Sequence, residues 1–206
     1  MNGINWTHLV TLTLSPEKGS NELKTNGALN EALPMGIIAY VVMAILTYLI
    51  ACITISIVSY SFFTIFSFTT LLGLIVKALL KAIIPALLAS HIFNFYCNRT
   101  YPTISVTFQD TFKQFMYAVG VFAVLTLVQN IIFVPFMMSL YTNTLPSGLV
   151  RTVIFILNMC TYGWTAFTLL KLCIAEYNMS VRDTATTLVV SIVPLIVINY
   201  IIKNIF

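Results

Sequence analysis

Two lysines, Lys77 and Lys81, are the residues whose type and spacing could do chemistry in this chain. They lie four positions apart, so a helix would place both ammonium groups on the same face. The stretch before them, from Ala32 to Val76, contains no Asp, Glu, Lys or Arg. An ionisable side chain inside such an apolar run is costly to insert in a membrane, and it indicates a functional site by default.

Two interpretations of the lysine pair remain open. In the simpler one, which we favour, the side chains snorkel, or the second span begins later and leaves them at the outer interface. The functional interpretation requires an acidic partner, and no predicted span centre contains Asp or Glu. In both cases we expect Lys77 and Lys81 at an interface or in a polar-lined crevice, and never facing lipid at mid-bilayer.

Other side chains that could react or ligate are few and scattered. His91 falls near the inner end of the second predicted span, where a hydrogen-bonded structural histidine is the favoured interpretation. The four cysteines show no CxxC spacing and are expected to be packed thiols: Cys52, Cys97, Cys160 and Cys173. A metal site would need His or Cys neighbours at matching spacing. The sequence therefore predicts no catalytic residue, no metal, no cofactor and no enzymatic activity.

The composition indicates an integral membrane protein. Apolar residues make up 59% of the 206 residues and charged residues 8%, against about 25% in a typical soluble domain. The uncharged stretch has room for two spans of about 20 residues each. The net charge is +4, but the basic residues are dispersed singly, so we expect no nucleic-acid partner.

The hydropathy pattern predicts an all-α fold, a polytopic membrane helical bundle with five transmembrane helices and short loops. Residues 1–34 are predicted to form a polar N-terminal interfacial segment, and residues 35–206 the transmembrane domain. The five spans are expected at about 36–58, 70–93, 115–140, 149–174 and 184–204. Residues 59–70 allow two alternatives, a re-entrant or interfacial turn, which we favour, or part of one long tilted helix.

Basic residues favour one orientation of these five spans. With a cytoplasmic N-terminus, six of them fall on or near the inside: Lys18, Lys24, Arg99, Lys113, Lys171 and Arg182. Only Arg151 and Lys203 fall outside. Because short cytoplasmic loops are enriched in Lys and Arg, we expect the N-terminus inside and the C-terminus outside.

Trp164 is the candidate packing residue of the fourth predicted span. It lies ten residues before Ile174, or roughly 15 Å from the inner end at the rise of an α-helix. That depth is close to mid-bilayer, away from the interfacial level that Trp prefers. Gly163 and small hydroxylated neighbours would let another helix approach closely. We therefore expect the Trp164 ring to be buried between helices.

The order of loops and spans resembles the Yip family of small membrane proteins, in particular a prokaryotic-type member. Four segments carry the resemblance: Leu87–Phe93 with His91, Thr107–Phe115, Gly163–Leu170 and Ala175–Ala185. Family members often have a proline early in the third span, whereas this chain has none there before Pro135. The resemblance implies a cytoplasmic N-terminal region and five spans.

The functional expectation comes from the same resemblance. Eukaryotic members of the family are associated with vesicle trafficking and Rab GTPase binding, and no catalytic residue accompanies the likeness. It implies a non-enzymatic integral membrane protein that organises membrane or recruits partners, namely the lipid bilayer and other membrane or membrane-associated proteins. The alternative is a small permease or an accessory membrane subunit of a transport complex, with bent helices at Pro85, Pro135 and Pro194 around a cavity. The oligomeric state stays open.

Overall fold

Seven α-helices make up nearly all of the part of the chain that the structure describes. The structure is a computed structural model, and it describes residues 4–59, 67–141 and 146–205. The helices are α1 (Trp6–Leu14), α2 (Pro16–Asn26), α3 (Leu29–Ser59), α4 (Phe68–Thr100), α5 (Phe108–Tyr141), α6 (Ser147–Tyr177) and α7 (Val181–Ile205). The prediction of an all-α helical membrane bundle is confirmed at this level.

Local sequence explains where several helices begin and end. The side chain of Ser67 accepts a hydrogen bond from the Thr70 N–H at 3.3 Å, which caps the start of α4. Pro16 occupies the first turn of α2, where its missing N–H costs nothing. Asn178 adopts a left-handed conformation at φ 52° and ends α6. The predicted ambiguity at 59–70 falls largely on residues 60–66, which lie outside the described residues, and α4 itself begins at Phe68.

Four helices in the described residues are long and apolar enough to cross a membrane, one fewer than the five predicted. They are α3, α4, α5 and α6. The predicted fifth span, 184–204, is helical within α7, but it is not one of the four. The first turn of α7 contains Arg182 and Asp183, and its side chains are described only as far as Val197, so the described apolar part is short. The chain is thus a multi-pass membrane protein with four helices whose length and apolar composition would let them cross a membrane.

The helices pack around a core at one end of the bundle. α3 and α5 form the most extensive pair, α4 packs on α3, α5 and α7, and α6 packs on α5. Backbones approach closely where α3 meets α5: a Cβ added to Gly36 would lie 2.5 Å from the Met116 carbonyl oxygen. Such small-residue contacts let helices pack tightly in lipid. The fully buried side chains Phe93, Tyr117 and Leu172 belong to this core.

The two short helices α1 and α2 form a hairpin that packs on the bundle. Leu9 and Leu12 of α1 are buried, as is Leu23 of α2. The Leu9 side chain lies against α5, 2.9 Å from the position of a Cβ at Gly120. α2 packs along α6, where the Lys24 ammonium donates to the Asn178 side chain at 2.9 Å. The N-terminal segment is therefore part of the folded bundle.

Candidate functional site

Lys77 and Lys81 lie in a crevice between α3 and α4, which we call the lysine crevice. It has a volume of about 560 Å³ and is lined by Tyr40, Thr47, Thr70, Gly73, Lys77 and Lys81, together with apolar side chains. Both lysines are exposed in the structure. Three of the lining residues have hydroxyl groups, so the crevice combines polar and apolar lining. That the pair avoids lipid at mid-bilayer stays a prediction. Cations and hydroxyl donors together can bind an anionic group.

The lysine crevice lies at a depth inside the spanning helices. On α3 its lining extends from Tyr40 to Thr47, nine to sixteen residues after Glu31. At the α-helical rise these positions are about 13 to 24 Å from Glu31. A lysine at the centre of a span costs about 2.5–3.5 kcal/mol on insertion scales. If their side chains do not snorkel to the interface, Lys77 and Lys81 at this depth need water, hydroxyl groups or an anion around them.

A second cavity of about 590 Å³ shares Lys81 with the lysine crevice. Its wall includes Tyr40, Phe122 and Tyr162, whose rings are stacked in a row. The centroid distances are 6.3 Å from Tyr40 to Phe122 and 5.5 Å from Phe122 to Tyr162. Pro85 also lines this cavity, and its missing N–H leaves the carbonyl of Lys81 without its helical donor. Lys81 and Tyr40 therefore line both cavities.

In contrast to the lysine crevice, a cluster of charged residues in the structure forms ion pairs. We define the polar end of the bundle by Glu31, Asp110, Glu176 and Asp183. There the Lys113 ammonium lies 3.0 Å from a Glu176 carboxylate oxygen, and the Gln114 amide donates to the other oxygen at 2.7 Å. The Lys113 side chain is 9% exposed and that of Glu176 is 17% exposed. Among the described residues, no carboxylate lies within ion-pair distance of Lys77 or Lys81, so the structure does not supply the acidic partner that the functional interpretation required of the chain.

The Lys113–Glu176 pair was missed by the sequence analysis. Both residues fell in segments interpreted as polar loops, and their sequence separation gave no reason to join them. The sequence signal that could have joined them was their opposite charge, since Lys113 and Glu176 lie next to two span ends predicted on the same side of the membrane. A further link joins α5 to α6, because the hydroxyls of Thr111 and Tyr177 lie 2.8 Å apart.

The loop between α4 and α5 also joins the polar end. The Tyr101 hydroxyl donates to an Asp183 carboxylate oxygen at 3.2 Å. Partial burial raises the pKa of the Tyr101 hydroxyl, and the hydrogen bond to Asp183 raises it further. This contact places the start of α7 at the same end as the loop after α4.

Amide side chains within the spans pair with each other. The Gln129 amide donates to Asn158 at 2.7 Å and accepts from the Thr161 hydroxyl at 2.7 Å. The Asn130 amide donates to the Thr47 hydroxyl at 2.8 Å, which links α5 to the wall of the lysine crevice. These hydrogen bonds satisfy polar groups that would otherwise face lipid.

The prediction that Trp164 is buried between helices is wrong. Its side chain is 40% exposed, and its indole N–H donates to the Thr13 carbonyl at 2.8 Å. Thr13 is in the last turn of α1, where helix carbonyls have no intrahelical donor. Trp164 thus caps the C-terminal end of α1. The reason for the error is that the N-terminal hairpin reaches along α6 to this depth, where lipid or a spanning helix was expected.

His91 lies away from the lysine crevice. The residue is exposed, and its ring centroid is 4.6 Å from that of Phe108 on α5. It therefore contributes to aromatic packing between α4 and α5. In the part of the chain that the structure describes, no group of three His, Cys, Asp or Glu residues could hold a metal ion.

Comparisons with known proteins give no relative for this architecture. No protein-family model matches the chain, and neither a curated protein nor a solved structure matches it. The Yip resemblance remains a prediction from the sequence, and the functional argument depends on the geometry of the lysine crevice.

Proposed function

We propose that this chain is a non-enzymatic integral membrane protein that organises membrane or recruits partners, as the Yip resemblance implies. The observation that carries the proposal is the lysine crevice, where two cations and three hydroxyl side chains line a cavity at spanning depth. These groups can bind an anionic molecule, and no carboxylate among the described residues competes for them. Its partners are lipids and other membrane or membrane-associated proteins.

The proposal includes five spans, with the N-terminus in the cytoplasm and the C-terminus outside. Two observations support it. Three basic residues of the predicted inner side form contacts towards the same end of the bundle: Lys24 with Asn178, Lys171 with Glu17, and Lys113 with Glu176. The Tyr101–Asp183 hydrogen bond joins the segments that contain Arg99 and Arg182 at that end. α7 starts at that end, and its 25 residues extend about 37 Å, enough to cross a bilayer.

The topology is tested by labelling single cysteines at positions 22, 145 and 206 in a cysteine-free background with an impermeant thiol reagent. We expect reaction from the outside at 145 and 206, and protection at 22. Reaction at 22 from the outside, or protection at 145 and 206, would contradict the five-span arrangement.

The second candidate function is a small permease or an accessory subunit of a transport complex. The observation that favours it is that Lys81 lines two cavities, one of which also contains Pro85. Affinity purification from the native membrane separates the two candidates. A stoichiometric GTPase supports partner recruitment, whereas a stoichiometric ATPase, or solute flux by the chain alone in proteoliposomes, supports transport.

A further inference from the structure

The lysine crevice has a charge without a counter-charge. Lys77 and Lys81 are one helical turn apart on α4, and both line the same cavity. Every Asp and Glu of the chain lies in the described residues, and the four ion pairs found there involve other cations. Two neighbouring cations at spanning depth repel each other and are poorly solvated. A bound anion would remove both penalties at once.

The surroundings of the crevice indicate what kind of anion fits. Beside the lysine and hydroxyl groups, the crevice is lined by apolar side chains: Met43 and Ala44 on α3, and Leu74 and Ala78 on α4. A cavity in which cations and hydroxyl groups adjoin apolar side chains matches an amphiphile, with its head group at the lysines and its chains along the apolar lining.

We propose that the lysine crevice binds the phosphate of an anionic phospholipid, whose acyl chains lie against the apolar lining of the crevice on α3 and α4. This inference rests on the proposed function, because it requires the crevice to open to a bilayer. Lys77 and Lys81 supply charge-assisted hydrogen bonds to the phosphate oxygens. The hydroxyls of Tyr40, Thr47 and Thr70 supply neutral ones. The head group is thereby drawn below its usual plane in the leaflet.

The test measures lipid affinity of the full chain by native mass spectrometry after purification in detergent. The probes are phosphatidylglycerol, zwitterionic phosphatidylcholine, oleate and the soluble head group glycerol 1-phosphate. We expect phosphatidylglycerol to bind at least tenfold more tightly than each of the other three. Equal binding of phosphatidylcholine would remove the role of net charge. Equal binding of oleate would show that the phosphate is not recognised, and equal binding of glycerol 1-phosphate would show that the acyl chains contribute nothing. Any of these three results overturns the assignment.

Variants locate the site. The double substitution Lys77→Gln/Lys81→Gln should weaken phosphatidylglycerol binding at least tenfold, and Lys77→Arg/Lys81→Arg should keep it within about threefold. The matched control is Lys18→Gln/Arg151→Gln, which removes two exposed cations elsewhere and should leave the affinity unchanged. Retained helicity by circular dichroism shows that each variant folds. If the double Gln variant does not fold, the single substitutions Lys77→Gln and Lys81→Gln are measured in its place.

The outcomes separate this inference from the proposed function. Equal phosphatidylglycerol affinity in all variants would overturn the lipid site, yet a co-purified GTPase would still support partner recruitment. Solute flux by the chain alone would contradict the proposed function, yet a tenfold loss in the Gln variant would still support the lipid site.

Discussion

The polar end of the bundle and the lysine crevice place lysines in two different environments. At the polar end, Lys113 is nearly buried and forms an ion pair with Glu176 at 3.0 Å. In the crevice, Lys77 and Lys81 are exposed and have no carboxylate partner among the described residues. A paired, buried charge contributes to the fold, whereas unpaired cations in a cavity are available to a ligand. The comparison therefore supports a structural role for the polar end and agrees with the binding proposed for the lysine crevice.

Breaking the ion pair at the polar end should have the largest effect on stability. Glu176→Gln leaves Lys113, in a site that is 9% exposed, with only the more exposed carboxylate of Asp110 at 3.8 Å, and removing one partner of a buried pair costs about 3 kcal/mol. Chemical or thermal unfolding of the purified protein in detergent measures the change.

The matched control is the same substitution at Glu17. Its carboxylate lies 3.6 Å from the Lys171 ammonium, but its side chain is 75% exposed. Exposed pairs contribute less than about 1 kcal/mol, so Glu17→Gln should be nearly neutral. Equal losses in Glu176→Gln and Glu17→Gln would contradict the structural role of the Lys113–Glu176 pair.

Two glycines sharpen the comparison of packing in the two regions. A methyl group at Gly36 would meet the Met116 carbonyl oxygen at 2.5 Å, whereas one at Gly73, in the lysine crevice, meets nothing within 4 Å. We expect Gly36→Ala to destabilise the fold by about 2 kcal/mol through overpacking. Gly73→Ala should be neutral or stabilise it by up to about 1 kcal/mol, because alanine favours helix.

The unfolding midpoints of these two variants test this difference directly. A loss in Gly73→Ala as large as that in Gly36→Ala would show that the crevice is closed by close packing. That result would contradict an open cavity at Lys77 and Lys81.

Removing the hydrogen bond that caps α1 should have a small effect on the stability of the N-terminal hairpin. Trp164→Phe keeps an aromatic ring but removes the N–H that donates to the Thr13 carbonyl at 2.8 Å. Losing one such hydrogen bond costs about 0.5–1.5 kcal/mol. The matched control is Trp6→Phe, an exposed indole in the first turn of the same helix. Faster limited proteolysis near Ser15 in Trp164→Phe than in Trp6→Phe is the expected result, and equal rates would contradict the cap.

The spans were predictable because they depend on composition. An uncharged stretch from Ala32 to Val76 has no stable place except in lipid, so the helices there follow from the residues alone. The predicted fifth span is not among the four helices long and apolar enough to cross a membrane, since Arg182 and Asp183 lie in the first turn of its helix and its described side chains end at Val197.

The contacts between helices were less predictable. Lys113 and Glu176 are 63 positions apart, and periodicity gives no information on which faces meet. Trp164 was misplaced for the same reason: its partner, Thr13, belongs to a short helix 151 positions away. The lysine pair was identified from its spacing, but its crevice depends on α3, whose Tyr40 and Thr47 complete the lining.

The most direct test of the comparison is the unfolding free energy of Lys77→Leu/Lys81→Leu, measured beside Lys113→Leu under the same conditions. Removing the two crevice lysines relieves the repulsion between their charges and leaves no described carboxylate without its cation, so the double variant should be at least as stable as the natural chain. Lys113→Leu should lose about 3 kcal/mol, because Glu176 is left unpaired. A loss in the double variant equal to that in Lys113→Leu would show that the crevice lysines are structural and would contradict the account.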